Sequence, residues 1–456
     1  MWMRKPKGEI TRLLIFALVI SLVVSGCSLL NPPTPPEIPT PIPPPPSAID
    51  FDSLALVTNP VSNSTLEVDP DIATLMNNVS RQQLLGYVQT LEGFGTRHTL
   101  SEPNRPDFGI GAARNWLFQE FQRVGGGRID VRVQDFNMSF NGLTTNQQNI
   151  IATLPGNGTH PGVIALVAHY DTRRNDNTDG NSLAPGANDN ASGVALLLEA
   201  ARLLSSRTWN QDIIFIAFAA EEQETVGSFR YVQDAMLSGM IFDAVINIDT
   251  VGGRPGIPQF VRLYAPGPDT SPSSHLARTI QEIGDLYMPA FPIDLHKELD
   301  REGRYGDQRE FINAGLSAVR MIESQEDPSL LNSATDTSEK IDYEYLAKIT
   351  QLNVAVAGTL AGAPGRPATP TVTAMADPGA YILTWPTDPL AAGYAISFRP
   401  VEEYFFPDNL LYVNGEQAGN VAITGLDPSR SYFLSIAALD PNGRMSAFSA
   451  ETLVQP

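Results

Sequence analysis

Acidic residues and one histidine follow apolar segments in the central part of this 456-residue chain. Glu221 and Glu222 come directly after the run IIFIAFAA, and His169 and Asp171 come at the end of GVIALVAHYD. Neighbouring residues of a strand point to opposite faces, so two adjacent acids with one task need a bend or a shared positive partner. Residues two apart share a face, and a histidine beside a carboxylate is typical of a metal ligand whose second ring nitrogen is oriented by that acid.

Two further acids have similar positions. Asp189 lies in the loop GANDNASG, where a helix N-cap is also a common use of aspartate. Asp249 ends the apolar run VINID. Buried acids at four such sites need a compensating charge, and the sequence has no lysine close to them. Because a divalent ion compensates several carboxylates at once, the pattern favours a metal site.

The segments that carry these residues alternate between strand and helix patterns. Helical patterns cover residues 193–206, 273–287 and 343–362. The alternation predicts an α/β fold with a mixed, largely parallel central sheet and helices on both faces, in which ligands bind beyond the carboxyl ends of the strands. Short runs rich in Val and Ile predict the buried strands QNIIATLPG, GVIALVAHYDT, QDIIFIAFAAEE, FDAVINIDTVGG and LSAVRMIES.

The C-terminal part has a different pattern. After a linker at 363–370, residues 371–456 contain short alternating strands separated by turn residues, which predict a small all-β sandwich. The positions of Trp385, Leu426 and Tyr432 resemble those in a fibronectin type III module. This region shows no catalytic cluster in its sequence, and we interpret it as a spacer or docking module.

The N-terminus predicts export. Residues 1–26 have basic residues before an apolar run that is too short to span a bilayer, as in a signal peptide. The motif VSGC resembles the bacterial lipobox, which implies a lipid on Cys27, the only cysteine. Residues 27–50 then form a proline-rich tether. We expect a lipid-anchored protein at the bacterial cell surface or the extracytoplasmic face of the membrane, with a signal anchor and a chance cysteine as the alternative.

The net charge of −20 narrows the class of partner. An acidic chain is a poor match for nucleic acid or for an anionic membrane surface, so we expect neither to bind the protein body. The sequence carries no signal for the oligomeric state.

Four motifs together resemble the zinc-dependent aminopeptidase family that also contains glutaminyl cyclases and glutamate carboxypeptidase-like enzymes. The resemblance spans roughly residues 75–362, and we place the exopeptidase domain at 51–362. The motifs match in order and spacing, and they are His169-Tyr170-Asp171, GANDNASG, Glu221-Glu222 and Ile248-Asp249.

The resemblance implies two zinc ions, peptide substrates and a water molecule activated by metal. In this family pattern Asp189 bridges the ions, His169 and Asp249 complete one of them, and Glu222 holds the other. Asp171 orients His169. Glu221 is the general base that takes the proton of the water and later gives it to the leaving amine.

Two positions depart from the family pattern. An alignment on Asp336-Thr337 puts Asn332 where a further histidine normally binds the ion held by Glu222, and an amide is the weaker zinc ligand. Gln308 replaces the histidine of an Asp-His-x-x-Phe segment. The chain has five histidines, and the four other than His169 could substitute only if the fold brings them near.

Three consequences of these departures stay open. The second ion is bound weakly, the enzyme works with one ion, or the protein is a non-catalytic relative. We favour retained hydrolysis, because Glu221 and four of the usual five ligands are present. The predicted function is therefore a membrane-tethered metallo-aminopeptidase, and the alternatives are an impaired relative that acts as a surface binding protein and a single-zinc glutaminyl cyclase.

Overall fold

A computed structural model of the chain describes residues 55–56, 65–407 and 410–455. The predicted signal peptide, Cys27 and the predicted tether all lie outside these residues. Within the described ranges, no helix combines the length and the apolar character needed to cross a membrane. The first described strand is β1 (Ala55–Leu56).

Eight strands form a mixed sheet at the centre of the larger part of the chain. They are β2 (Asp130–Phe140), β3 (Leu143–Leu154), β4 (Gly162–His169), β5 (Asp212–Phe218), β6 (Ile241–Ile248), β7 (Val261–Tyr264), β8 (Ile293–His296) and β9 (Ala318–Glu323). Their order across the sheet is β2-β3-β5-β4-β6-β9-β7-β8. The neighbours β5, β4, β6 and β9 run parallel, so their carboxyl ends meet at one edge. The predicted mixed, largely parallel sheet is thus confirmed.

Helices cover both faces of this sheet, as predicted. The described α-helices are α1 (Pro70–Asn77), α2 (Arg81–Gly93), α3 (Gly109–Gly125), α4 (Ser192–Leu204), α5 (Val226–Ser238), α6 (Pro272–Tyr287), α7 (Gln308–Asn313) and α8 (Tyr343–Gly362). Alternate residues of the fully buried strand β4 belong to two different cores. Leu166 packs in the core that includes α4 and α8, and Val167 packs in the core that includes α5 and α7. Each such side chain contributes roughly 1.5–3 kcal/mol through burial, which fixes the strand ends in place.

The C-terminal part consists of two antiparallel four-stranded sheets. Their strands are β10 (Thr371–Ala374), β11 (Tyr381–Thr384), β12 (Gly393–Pro400), β13 (Leu411–Asn414), β14 (Asn420–Thr424), β15 (Tyr432–Leu439) and β16 (Thr452–Val454), together with β1. The sheet orders are β1-β14-β11-β10 and β13-β12-β15-β16. Leu383 of the first sheet and Ile396 of the second share one apolar core. The predicted β-sandwich is confirmed, and its assignment to the fibronectin type III class stays a prediction.

A buried cluster of charges joins the sandwich to helix α6. Arg278 donates to Glu451 Oε1 at 3.1 Å and to the Tyr404 carbonyl at 3.3 Å. Arg399 donates from Nε to the same Glu451 oxygen at 2.6 Å. His275 Nε2 lies 3.5 Å from Glu451 Oε2. Because Arg399 Nη2 also lies 2.5 Å from Glu451 Oε2, guanidinium groups contact both oxygens of Glu451.

Candidate metal centre

The strand-end residues predicted from the sequence converge around the His169 ring. His169 ends β4, Asp249 follows β6, and Asp189 lies in the loop before α4. His169 Nε2 is 3.2 Å from Asp189 Oδ1, 3.5 Å from Asp249 Oδ1 and 3.9 Å from Glu221 Oε2. Three carboxylates therefore face a single imidazole nitrogen.

Asp171 connects the histidine to the two adjacent glutamates. His169 Nδ1 lies 3.2 Å from the Asp171 carbonyl and 3.6 Å from Asp171 Oδ1, and that carboxylate oxygen accepts the Glu221 N–H at 3.1 Å. Its Oδ2 accepts the Glu222 N–H at 3.2 Å. The chain bends just before the glutamates, where Ala220 has a left-handed φ of 59°. The bend and the shared partner explain why two neighbouring acids can serve one centre.

A second carboxylate holds the loop of Asp189. Asp336 accepts the N–H of Asn188 at 2.8 Å and the N–H of Asp189 at 3.0 Å. The turn Ala187–Ala191, in which Asp189 and Asn190 have non-helical backbone angles, then leads into α4. Asp336 thus fixes the position from which the Asp189 side chain reaches His169.

Arg320 of β9 fixes the carboxylate of Asp249. Its Nη2 lies 2.9 Å from Asp249 Oδ2, and its Nε donates to the Asp249 carbonyl at 2.7 Å. Arg320 also pairs with the buried Asp300. Burial alone would raise the pKa of Asp249, but Arg320 and His169 outweigh it and hold that pKa below its usual range. Asp249 is therefore ionised, with Oδ1 left to face His169.

The crowding of acids changes the ionisation of the other groups. Burial raises the pKa of Glu221 well above its usual range. Burial would lower the pKa of His169, but the nearby carboxylates of Glu221 and Asp249 reverse the effect and raise it well above the ordinary value. Arg320 pairs with Asp249, but Asp189 and Glu221 share the single His169 imidazole, so these crowded acids favour a further bound cation.

The residues around His169 fit a divalent ion. His169 Nε2 is buried and has no hydrogen-bond partner within the described ranges, although oxygens surround it. Ligand atoms of His169, Glu221 and Asp249 all lie within 4.8 Å of one another. Imidazole nitrogen and carboxylate oxygen are ordinary zinc donors. This group contains Glu221, the predicted base, whereas the predicted ligand set is His169, Asp189 and Asp249.

The residues around Glu222 do not fit a second ion. Glu222 Oε2 accepts from Arg173 Nε at 2.6 Å. Asn332, with its amide oriented to suit both neighbours, donates to Glu222 Oε1 at 3.2 Å and accepts from Arg173 Nη2 at 3.0 Å. Both oxygens of the predicted ligand are therefore engaged by protein groups.

The remaining histidines do not supply the missing ligand. Each has its contacts elsewhere: His98 with the Asn177 carbonyl, His160 with Asp388, His275 with Glu451 and His296 with Asp294. Gln308, at the other position that departs from the family pattern, accepts from Asn247 at 2.8 Å and donates to the Leu299 carbonyl at 3.2 Å. Gln308 therefore holds the loop before α7.

Sequence reasoning missed the two arginines of the centre. It looked for lysines near the acids, whereas Arg173 and Arg320 are the cations that pair with them. A usable signal existed for Arg320, because it is the charged residue inside the apolar run LSAVRMIES. Arg173 lies in the polar segment TRRND, which gives no such contrast.

Known proteins resemble the chain in sequence and in fold. The model of peptidase family M28 matches residues 149–357. A probable zinc metalloprotease of Pyricularia oryzae is 31% identical, and the match covers 92% of this chain and 95% of that protein. The LapA aminopeptidase of Legionella pneumophila superposes with a TM-score of 0.54 at 20% identity, covering 67% of this chain and 78% of LapA. LapB from Legionella pneumophila gives 0.54 at 22% identity, covering 67% and 77%. These two structures have the same fold.

Proposed function

The chain belongs to peptidase family M28 and is a zinc metallopeptidase, and we propose that it is an aminopeptidase that removes N-terminal residues from peptides at the extracytoplasmic face of a membrane. The observation that carries the hydrolytic part is the approach of three carboxylates to the buried His169 Nε2, within 3.9 Å. The aminopeptidase activity of LapA, which has this fold, supports the exopeptidase part.

The residues of the chain divide the work between binding and proton transfer. His169, Asp189 and Asp249 would hold zinc, which when bound would polarise the scissile carbonyl and lower the pKa of a water molecule to about 7. Asp171 keeps the His169 ring in place. Arg320 keeps Asp249 ionised and oriented, 2.9 Å from its Oδ2.

Glu221 is the proton carrier in this proposal. It lines the same pocket as Asp189 and Asp249, and its side chain is only partly exposed. In this position, 3.9 Å from His169 Nε2, it can accept a proton from the attacking water and return it to the leaving amine. Six acids and five arginines line the pocket around it, so it offers carboxylates to the α-amino group of a peptide and guanidinium groups to its oxygens.

Turnover of aminoacyl p-nitroanilides tests this function. We expect release of nitroaniline that a chelator abolishes and zinc restores. Glu221→Gln should lower kcat by roughly 100- to 10,000-fold while zinc content stays unchanged. Full zinc occupancy without turnover on a broad aminoacyl panel would contradict the proposal and would favour the surface binding protein.

The membrane location has its own test. We propose that a lipid on Cys27 tethers the protein, on the grounds of the motif VSGC and the proline-rich segment after it. Cys27→Ser should move the protein from the membrane fraction to the soluble fraction without changing kcat. An unchanged membrane fraction would exclude the lipid anchor.

Glutaminyl cyclisation is the second candidate, and one observation favours it. Both oxygens of Glu222 are bound by Arg173 and Asn332, which leaves the ligand set of a single ion. Peptides that begin with glutamine distinguish the two reactions. Ammonia release without shortening of the peptide would indicate cyclisation, whereas free N-terminal amino acid would indicate hydrolysis.

A further inference from the structure

The carboxylate of Glu222 has a cation of its own within the protein. Arg173 follows Asp171 by two residues and reaches across to Glu222, where its Nε lies 2.6 Å from Oε2. The Glu222 side chain is 8% exposed and that of Arg173 is 28% exposed, so this pair is mostly removed from water. A buried carboxylate is stabilised by one such charge-assisted contact, and losing it would be costly.

Asn332 completes this contact on the other side. Its amide nitrogen lies 3.2 Å from Glu222 Oε1, and its oxygen lies 3.0 Å from Arg173 Nη2. One planar amide thus offers a donor to the acid and an acceptor to the guanidinium. The three side chains satisfy one another at the position where the family pattern has a metal ligand.

A second divalent ion would have to break this arrangement. The ion would have to displace Arg173 from the Glu222 oxygens. Its double positive charge would then lie close to the Arg173 guanidinium, in a place of low exposure to water. Its ligand there would be the Asn332 amide, which binds zinc more weakly than the usual imidazole does. The first half of the centre has no such obstacle, because Asp249 leaves Oδ1 directed at His169 Nε2, 3.5 Å away.

We propose that Arg173 takes the place of the second metal ion, so that the chain binds one divalent ion, at His169, Asp189 and Asp249, and uses the guanidinium as the fixed cation beside Glu222. This inference rests on the proposed function only for the first ion. It also places Arg173 on the wall of the pocket, where its side chain is 28% exposed.

Metal content per chain, measured by elemental analysis and by zinc anomalous scattering, tests the inference. We expect one ion in the wild type, located at His169. The double variant Arg173→Ala with Asn332→His should bind a second ion, because it frees Glu222 and restores an imidazole. Asn332→His alone should stay at one ion, since Arg173 still covers Glu222.

Arg174→Ala is the matched control. Arg174 is the next residue along, but its Nη1 donates to the Leu183 carbonyl at 2.9 Å rather than to Glu222. We expect this variant to keep one ion and unchanged turnover. Two ions in the wild type, one of them at Glu222, would overturn the inference while leaving hydrolysis intact. One ion at His169 without turnover would instead remove the proposed function and leave the inference standing.

Discussion

Asp249 and Glu222 are two buried acids of one centre that meet their arginines differently. Arg320 binds Oδ2 of Asp249 and its carbonyl, and the second carboxylate oxygen still faces His169. Glu222 has one oxygen on Arg173 and the other on Asn332. An arginine that binds only one carboxylate oxygen leaves the other oxygen directed at the metal site. When an arginine and an amide bind both oxygens, the carboxylate is no longer available as a ligand.

The largest effect on zinc affinity should come from the His169 side of the centre, which we expect to bind zinc. His169→Ala removes the nitrogen that three carboxylates face, and it leaves acids alone in a buried place. We expect zinc affinity to fall by more than the roughly 10- to 100-fold that loss of an outer partner costs. Competition with a chromogenic chelator measures it. Retention of zinc at wild-type affinity would mean that the ion binds elsewhere.

Arg320→Met breaks the orienting contact while leaving the ligands in place. It strips the buried Asp249 of its arginine and leaves Asp300 with Arg301 alone, so the free energy of unfolding should fall by about 3–5 kcal/mol. Zinc affinity should fall by roughly 10- to 100-fold. Denaturant unfolding and the same chelator assay measure the two effects. A variant with unchanged affinity would show that Arg320 does not orient Asp249.

Glu451 serves as a reference for Asp249 and Glu222, because it also contacts arginines but lies outside the candidate metal centre. Burial would raise its pKa, but the contacts with His275, Arg399 and Arg278 lower it to about 2. Because this folded pKa lies below that of an unfolded glutamate, the stabilisation is full above about pH 4.5 and is lost as the pH falls towards about 2. It amounts to roughly 3 kcal/mol.

Denaturant unfolding of Glu451→Gln and wild type across this acid range measures the effect. The variant should be less stable by about that amount at pH 7, and the difference should close as the pH falls. A difference that does not vary with pH would show that the charge of Glu451 contributes nothing to stability.

The smallest effect on stability should come from the Glu222 side of the centre, which we expect to lack a metal ion. Asn332→Ala removes one amide that bonds to Glu222 and Arg173, and it puts alanine at a left-handed φ of 53°. We expect a loss of about 1–2 kcal/mol in unfolding free energy, with zinc content unchanged. A loss of zinc would show that Asn332 does bind metal.

The sequence predicted those parts of the centre that depend on strand order. His169, Glu221 and Asp249 each come at the end of an apolar run, and parallel neighbours bring such ends together whatever the loops do. The helix predicted at 343–362 has those bounds in the structure. The apolar pattern of the sequence is sufficient to predict an element when burial alone determines where that element lies.

Other parts depend on contacts between distant residues. Arg173 and Glu222 are 49 positions apart, and no periodicity links them. The strand β2 was not predicted, although apolar residues alternate in it at Val131 and Val133 and again at Phe136, Met138 and Phe140, because polar residues interrupt the pattern between these two groups of positions. The strand β1 also escaped prediction, because it is two residues long and forms only by pairing with β14.

Asp171 ties the histidine and the two glutamates to one rigid group. The same carboxylate lies beside the His169 ring and holds the N–H groups of both Glu221 and Glu222. The separation between the proposed zinc ligand and the proposed base therefore depends on one side chain just beyond β4. A redesign that repacks the sheet for heat tolerance should therefore retain Asp171.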